Sequence, residues 1–206
     1  MPQPAPLKHL SITTPSPWVA RFSSIMPAGG HVLDLACGGG RHTVHLLEGG
    51  YRVTAVDKDT VAVSDRLSGR ADLTIVSADL ETGVDPFAPD GALTGETFDG
   101  IVVVNYLYRP LMAALINALN PGGVLIYETF ARGNEVYARP RNPDHLLRSG
   151  ELLDIVSGYL QVVAYEHGRI EANDLPGVKQ RLVAVRDLDQ SDRDDGDPPA
   201  HPITDY

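Results

Sequence analysis

Hydrophobic and polar positions along the chain fall into blocks of two alternating kinds. Short apolar runs rich in Val, Ile and Leu occupy residues 31–36, 52–56, 73–76, 98–104 and 124–129, each bounded by Gly, Asp or Asn. Their length and β-branched content predict strands, and the run 98–104, apolar almost throughout, predicts a strand buried on both faces. Between them, residues 41–49, 60–70 and 109–119 carry apolar side chains at helical spacing, with Gly49-Gly50 and Asn120-Pro-Gly-Gly123 as helix stops and turns. Residues 83–97 have two prolines and no apolar period and predict a loop. A helix is predicted over 143–157 from Leu146, Leu147, Leu152, Leu153 and Val156, with Gly150 as a point of interruption. Two closing strands, 159–166 and 180–186, flank a turn-rich segment containing Asn173, Pro176 and Gly177. Strand and helix alternating in this way specify an α/β fold with a parallel sheet covered by helices.

The two ends read differently from the middle. Residues 1–29 are rich in proline but place Trp18, Phe22, Ile25 and Met26 near helical spacing; a helix packed on the core is the first expectation and a lid over a ligand the second. With no apolar run long enough to span a bilayer and no secretory h-region, a cytoplasmic protein is expected. A single cysteine, Cys37, allows no internal disulfide and fits a reducing compartment. The formal charge is −10, much of it in the Asp-rich stretch 189–206, which predicts a disordered tail after a domain over 30–188. An acidic chain argues against a general nucleic-acid binder. No cysteine–histidine spacing matches a metal site, and no phosphate loop or G-x-S-x-G elbow occurs.

Chemistry concentrates where strands end. Asp34-Leu-Ala-Cys-Gly-Gly-Gly40 joins the first strand to its helix through glycines that permit close backbone approach to a ligand at Gly38 and Gly40. An acid at Asp34 opposes phosphate and suits an ammonium group. Thr43 stands where dinucleotide-binding turns carry their third glycine. Asp57 follows the second strand, where a carboxylate can hold ribose hydroxyls, and Asp79, in Ala78-Asp-Leu80, follows the third, where it can meet an adenine amino group with Leu80 against the ring. The set favours an adenosine ligand with a cationic tail over NAD.

These residues resemble the class I S-adenosylmethionine methyltransferases. VLDLACGGGRHT is similar to their first motif, VTAVDKD to the acidic end of the second strand, SADLE to the adenine-side motif, and FDGIVVVNYLYRPL and LNPGGVLIYETF to their fourth and fifth strands. GRHTVHLL, ETFARGNE and LLRSGELL resemble the small bacterial enzymes related to tellurite-resistance TehB. The resemblance implies a Rossmann-like, mostly parallel seven-stranded sheet with helices on both faces and an antiparallel last strand. It implies S-adenosyl-L-methionine as cofactor, held by Asp34, Ala36, Gly38, Gly40, Asp57, Lys58, Ala78, Asp79, Leu80 and Asn105.

The acceptor side is less specified. Asn105-Tyr-Leu-Tyr108 lacks the paired prolines of the nucleic-acid amino methyltransferases, which turns the expectation toward a small-molecule acceptor, a thiol or a chalcogen oxyanion. Arg132, Arg139, Arg141 and Arg148 with His145 form a basic stretch after the fifth strand, and Arg109 follows the fourth. Arg109, Arg139 and Arg141 are therefore candidates to bind an anionic substrate. Tyr106 and His145 are the candidate catalytic groups, with Glu128 as another base should the acceptor need one. A methyltransferase on RNA or protein, an NAD-dependent oxidoreductase and a cofactor-binding module without turnover remain as rivals.

Overall fold

The computed structural model describes residues 12–171, 177–191 and 193–203. Seven strands form one sheet: β1 (His31–Leu35), β2 (Arg52–Asp57), β3 (Leu73–Ser77), β4 (Phe98–Val104), β5 (Leu119–Phe130), β6 (Gln161–Ile170) and β7 (Gly177–Val185). Their order is β3-β2-β1-β4-β5-β7-β6. β1 to β5 pair in parallel, and β7, the last in sequence, inserts antiparallel between β5 and β6. The Rossmann-like seven-stranded sheet with its antiparallel last strand is therefore present.

Among the described residues, five short α-helices cover both faces: α1 (Pro17–Phe22), α2 (Arg41–Glu48), α3 (Val61–Leu67), α4 (Met112–Asn117) and α5 (Glu151–Val156). Period-two alternation along the strands sorts the core into two layers. Val32, Val53, Val102, Val104 and Ile126 meet α1 and α2, while α3 packs with Ala55 and Ile75. Leu33, Leu35, Ile101, Val103 and Tyr127 face α4, α5 and the loop carrying Phe87 and Leu93. The N-terminal residues take the core-packing role: Trp18, Phe22 and Met26 are buried, and Trp18 Nε1 donates to Leu182 O at 3.3 Å. Gly100 makes that close approach possible, because a Cβ there would overlap Met26 Sδ.

Three elements depart from the pattern. Asn120-Pro-Gly-Gly123 lies within β5 as an irregularity, for the ladder runs from Phe98↔Leu119 directly to Gly100↔Val124. The predicted helix over 143–157 is only α5; it starts at Gly150, in a left-handed conformation (φ 76°). Leu147 instead forms a parallel bridge with Ala131, and residues 143–145 make one 3₁₀ turn. The closing strands are longer than expected, and the turn placed around Asn173 and Pro176 lies outside the described residues. No helix among the described residues is long and apolar enough to cross a membrane. His201, in the acidic C-terminal stretch, has its Nε2 2.5 Å from Oδ2 of Asp187, which precedes that stretch.

Candidate functional site

The sheet order reverses direction between β1 and β4, and in an open α/β sheet the strand ends at that point part to leave a crevice. Two adjoining cavities lie there. The smaller, about 230 Å³, is lined by Ala36, Asp57, Lys58, Ala78, Asp79, Leu80, Glu81 and Tyr106. The larger, about 520 Å³, extends over the glycine turn, the β4 end and the β5 end, with Arg41, His42, Asn105, Phe130 and Arg139 on its walls. Ala36, Asp57 and Tyr106 belong to both.

The turn after β1 is built from backbone conformations that side chains resist. Ala36 (φ 56°) and Gly38 (φ 54°) are both left-handed, and so is Gly40 (φ 75°), which starts α2. Asp57 braces this turn: its Oδ2 accepts from Gly38 N at 2.9 Å and its Oδ1 from Asp59 N at 3.1 Å. Each carboxylate oxygen still has a lone pair for a ligand hydroxyl. Asp79 Oδ1 accepts from Glu81 N at 2.9 Å, which fixes the carboxylate at the rim of the smaller cavity. Gly39 lines the larger cavity beside Gly38.

Several expected residues are placed elsewhere. Asp34 does not line either cavity; it is 1% exposed and accepts from Thr43 Oγ1 at 2.5 Å. Burial, only partly offset by Thr43, pushes its carboxyl up to about 6. Gly40 also lies off the cavities and packs against α3. Arg109 is committed to structure: its guanidinium holds both oxygens of Glu151, at 2.6 and 3.0 Å, and donates to the carbonyls of Asp144 and Leu146. Arg141 and His145 are exposed and line neither cavity, so a base at His145 and an anion contact at Arg141 are not what the geometry provides. Glu128 is 1% exposed and bound by Lys179 at 2.6 Å, by Arg181 at 3.3 Å and by Ser16 Oγ at 2.5 Å. Burial pushes its carboxyl up, but those cations and hydrogen bonds outweigh it and hold it below its usual range. It is spent as a base.

Tyr106 lies on the wall shared by the cavities, and its buried hydroxyl has no hydrogen-bond partner among the described residues. Burial and the nearby carboxylates of Glu81, Asp79 and Asp57 raise its phenol well above the ordinary value, so it does not ionise as a base near neutrality.

Sequence reasoning missed Arg41, His42, Phe130 and Lys179. Arg41 and His42 open the helix after the glycine turn, a position whose side chains border any ligand held by that turn, so the signal was available. His42 is 5% exposed, accepts from Ser16 N at 3.1 Å through Nε2, and is driven well below the ordinary histidine range by burial and by Arg41. Arg41 Nη1 donates to Thr14 O at 3.2 Å. Ile12 also reaches the larger cavity, so the segment before α1 closes one side of it.

Comparison with known proteins bears on the fold. Residues 12–88 match the family model described as tellurite resistance protein TehB. No curated protein sequence matches the chain. Among solved structures, the N-methyltransferase NodS from Bradyrhizobium japonicum WM9 in complex with S-adenosyl-L-homocysteine is 18% identical, with a TM-score of 0.62 over 86% of this chain and 94% of that one. TehB from Haemophilus influenzae is 18% identical, with a TM-score of 0.59 over 82% of this chain and 61% of that one. The glycopeptide N-methyltransferase MtfA, also complexed with S-adenosyl-L-homocysteine, is 23% identical, with a TM-score of 0.56 over 82% of this chain and 89% of that one. The fold is that of the S-adenosylmethionine-dependent methyltransferases, and the resemblance to TehB read from the sequence is borne out over the matched residues.

Proposed function

We propose that this chain is an S-adenosylmethionine-dependent methyltransferase acting on a small, anionic, soft nucleophile such as a thiolate or a chalcogen oxyanion. The observation that carries the cofactor is the two-part crevice with Asp57 at its junction. A ligand with an adenine in the smaller part, against Leu80 and Asp79, puts its ribose hydroxyls at Asp57 and its tail over Gly38 and Gly39 into the larger part. The crevice fits the group on chemical grounds as well: the left-handed turn at Ala36 and Gly38 leaves room along the backbone. The acidic braces at Asp57 and Asp79 disfavour a phosphate-rich ligand in the same place.

Bound there, the sulfonium would supply a methyl group already activated for in-line displacement. The chain's own task is then to hold donor and acceptor at near-attack distance in a closed space. Arg139 and Arg41 give the larger cavity a positive wall, which is the basis for an anionic acceptor. The candidate bases nearest the β4 and β5 ends of the larger cavity are each committed elsewhere, which favours a soft nucleophile. Glu128 is ion-paired, the Tyr106 phenol stays protonated, and His42 has its Nε2 lone pair engaged by Ser16. A nucleophile that is already anionic or highly polarisable needs no proton removed. A cytoplasmic location is part of this proposal: the single cysteine suits a reducing compartment.

Calorimetric and thermal-shift titration with S-adenosylmethionine, S-adenosylhomocysteine and NAD, on wild type and Asp57→Ala, tests the cofactor. A ligand at a hundred times its Kd adds about 2.7 kcal/mol of stability. Stabilisation by the two adenosyl ligands, weakened in the variant, is the expected result; stabilisation by NAD alone, or by none, sinks the reading. With the cofactor established, transfer to thiols and chalcogen oxyanions but not to amines or phenols is expected for the acceptor.

A further inference from the structure

Behind the larger cavity lies a buried ion pair that the reading above uses only to set Glu128 aside as a base. Lys179, on β7, is 3% exposed. Its Nζ donates to Glu128 Oε1 at 2.6 Å and to Asn105 Oδ1 at 2.8 Å, and it stands 4.9 Å from the centre of the Phe130 ring. Removing a lysine and a glutamate from water is costly, and an apolar pair of the same volume would often be no less stable. The consequence specific to this pair is at Asn105. That residue follows β4 in a left-handed conformation (φ 59°), its N–H donates to Glu128 O at 2.8 Å, and it lines the cavity.

An ammonium has three donors and no acceptor, so only the carbonyl oxygen of the Asn105 amide can face it. Reversing the amide would set donor against donor in a buried place. We infer that Lys179 is a positioning residue that holds Asn105 with its NH2 group toward the cavity, as a fixed donor to a carboxylate or oxyanion oxygen of the bound ligand. Arg41 and Arg139 line the same cavity and attract the same kind of group. The oxygen has two sources: the carboxylate of the cofactor's methionine portion, or the acceptor itself. The inference rests on the proposed function for its ligands but concerns residues that reading does not require.

Asn105→Asp is the direct test, since it exchanges the cavity-facing NH2 for an oxygen at almost unchanged shape and leaves the other oxygen for Lys179. Binding of S-adenosylhomocysteine and of 5′-methylthioadenosine, which lacks the carboxylate, is measured by calorimetry. Sulfite, as a probe oxyanion, is titrated in saturating S-adenosylhomocysteine. A loss of about tenfold or more for S-adenosylhomocysteine, with methylthioadenosine unchanged, supports the inference with the cofactor carboxylate as source. A similar loss for sulfite alone supports it with the acceptor as source. Unchanged binding of both, or equal loss of both adenosyl ligands, overturns it.

Lys179→Met combined with Glu128→Gln, which removes both charges of the close pair and leaves Arg181 its second partner, Glu166, at 3.2 Å, tests the positioning. The pair should weaken the affected ligand in the wild-type background but have no further effect in Asn105→Ala. Additive losses would make Lys179 merely structural and overturn its role. Should the pair fail to fold, Lys179→Arg keeps a donor for Asn105 and should bind within about threefold of wild type; a larger loss in the folded variant overturns the inference too. Failure of wild type to bind any adenosyl ligand would instead defeat the proposed function.

Discussion

Gly40 is constrained twice, by conformation and by space. At φ 75° an L side chain carries a penalty, and a Cβ would stand 2.7 Å from Val63 Cγ2 on α3. Gly40→Ala should therefore cost about 2–4 kcal/mol, the sum of a left-handed alanine and an overpacked contact. Adding Val63→Ala should recover only the packing part, relative to the Val63→Ala single variant; chemical denaturation of all four chains reads the difference. Full recovery would show that conformation costs nothing there. Glycines on the turn were legible in the sequence, but their division of labour was not, because Gly38 and Gly40 look alike in one dimension. Asp34 shows the same limit more sharply. Its place at a strand end was legible, yet period two puts it on the side of Val32, which α2 covers, rather than in the crevice, and Thr43 is the α2 residue that meets it.

Strands were easier to foresee than the elements between them. A central parallel strand is buried on both faces and so writes a continuous apolar run, as 98–104 does. The stretch 143–157 misled because Leu146 and Leu147 precede Leu152 and Leu153 at spacings a helix also permits. The chain instead runs extended there, with Leu147 N donating to Phe130 O and Arg132 N to Leu147 O. Arg109 is what fastens this segment, through Glu151 and the carbonyls of Asp144 and Leu146, a use no local pattern announces across some forty residues. Arg109→Ala should destabilise the protein by about 2 kcal/mol, because the buried Glu151 is left without its bidentate partner. Hydrogen exchange should rise chiefly over 144–152. Affinity for S-adenosylhomocysteine should stay close to wild type, since Arg109 lines neither cavity. A large loss of affinity with unchanged exchange would restore Arg109 to the binding site.

At the level of the whole molecule, the strand order brings residues far apart in sequence to one crevice, and its stability should carry the mark of what is buried beside it. Asp34 and His42 lie on either side of the glycine turn's helix start, and both are held away from their unfolded pKa values by burial, in opposite senses for stability. Burial pushes the Asp34 carboxyl up to about 6 in the folded protein, from an ordinary 3.8. The folded state thus binds the extra proton between those values, and stability from this group is greatest in acid and falls as pH rises toward 6. His42 is held well below 6.5, so the unfolded state binds the extra proton. Its contribution is complete above 6.5 and is lost as pH falls through that value toward the folded pKa. Each change approaches about 1.4 kcal/mol per pH unit where it is fully developed. Below about pH 6, for as long as His42 stays neutral in the folded protein, the two slopes oppose in the wild type. Asp34→Asn keeps an acceptor for Thr43 and removes one slope, so its stability relative to wild type should be highest near pH 7.5 and should converge with it near pH 4. His42→Gln keeps an acceptor for the Ser16 N–H and removes the other, so it should gain on wild type as the solution is acidified from 6.5. Denaturation midpoints of the three proteins from pH 4 to 7.5 decide the matter, because only opposite-signed differences are consistent with two buried groups working against each other. Parallel curves would mean that neither group changes its protonation on folding. Stability surrendered at neutral pH to keep Asp34 buried is then the cost of fastening Thr43, in the first turn of α2, to β1.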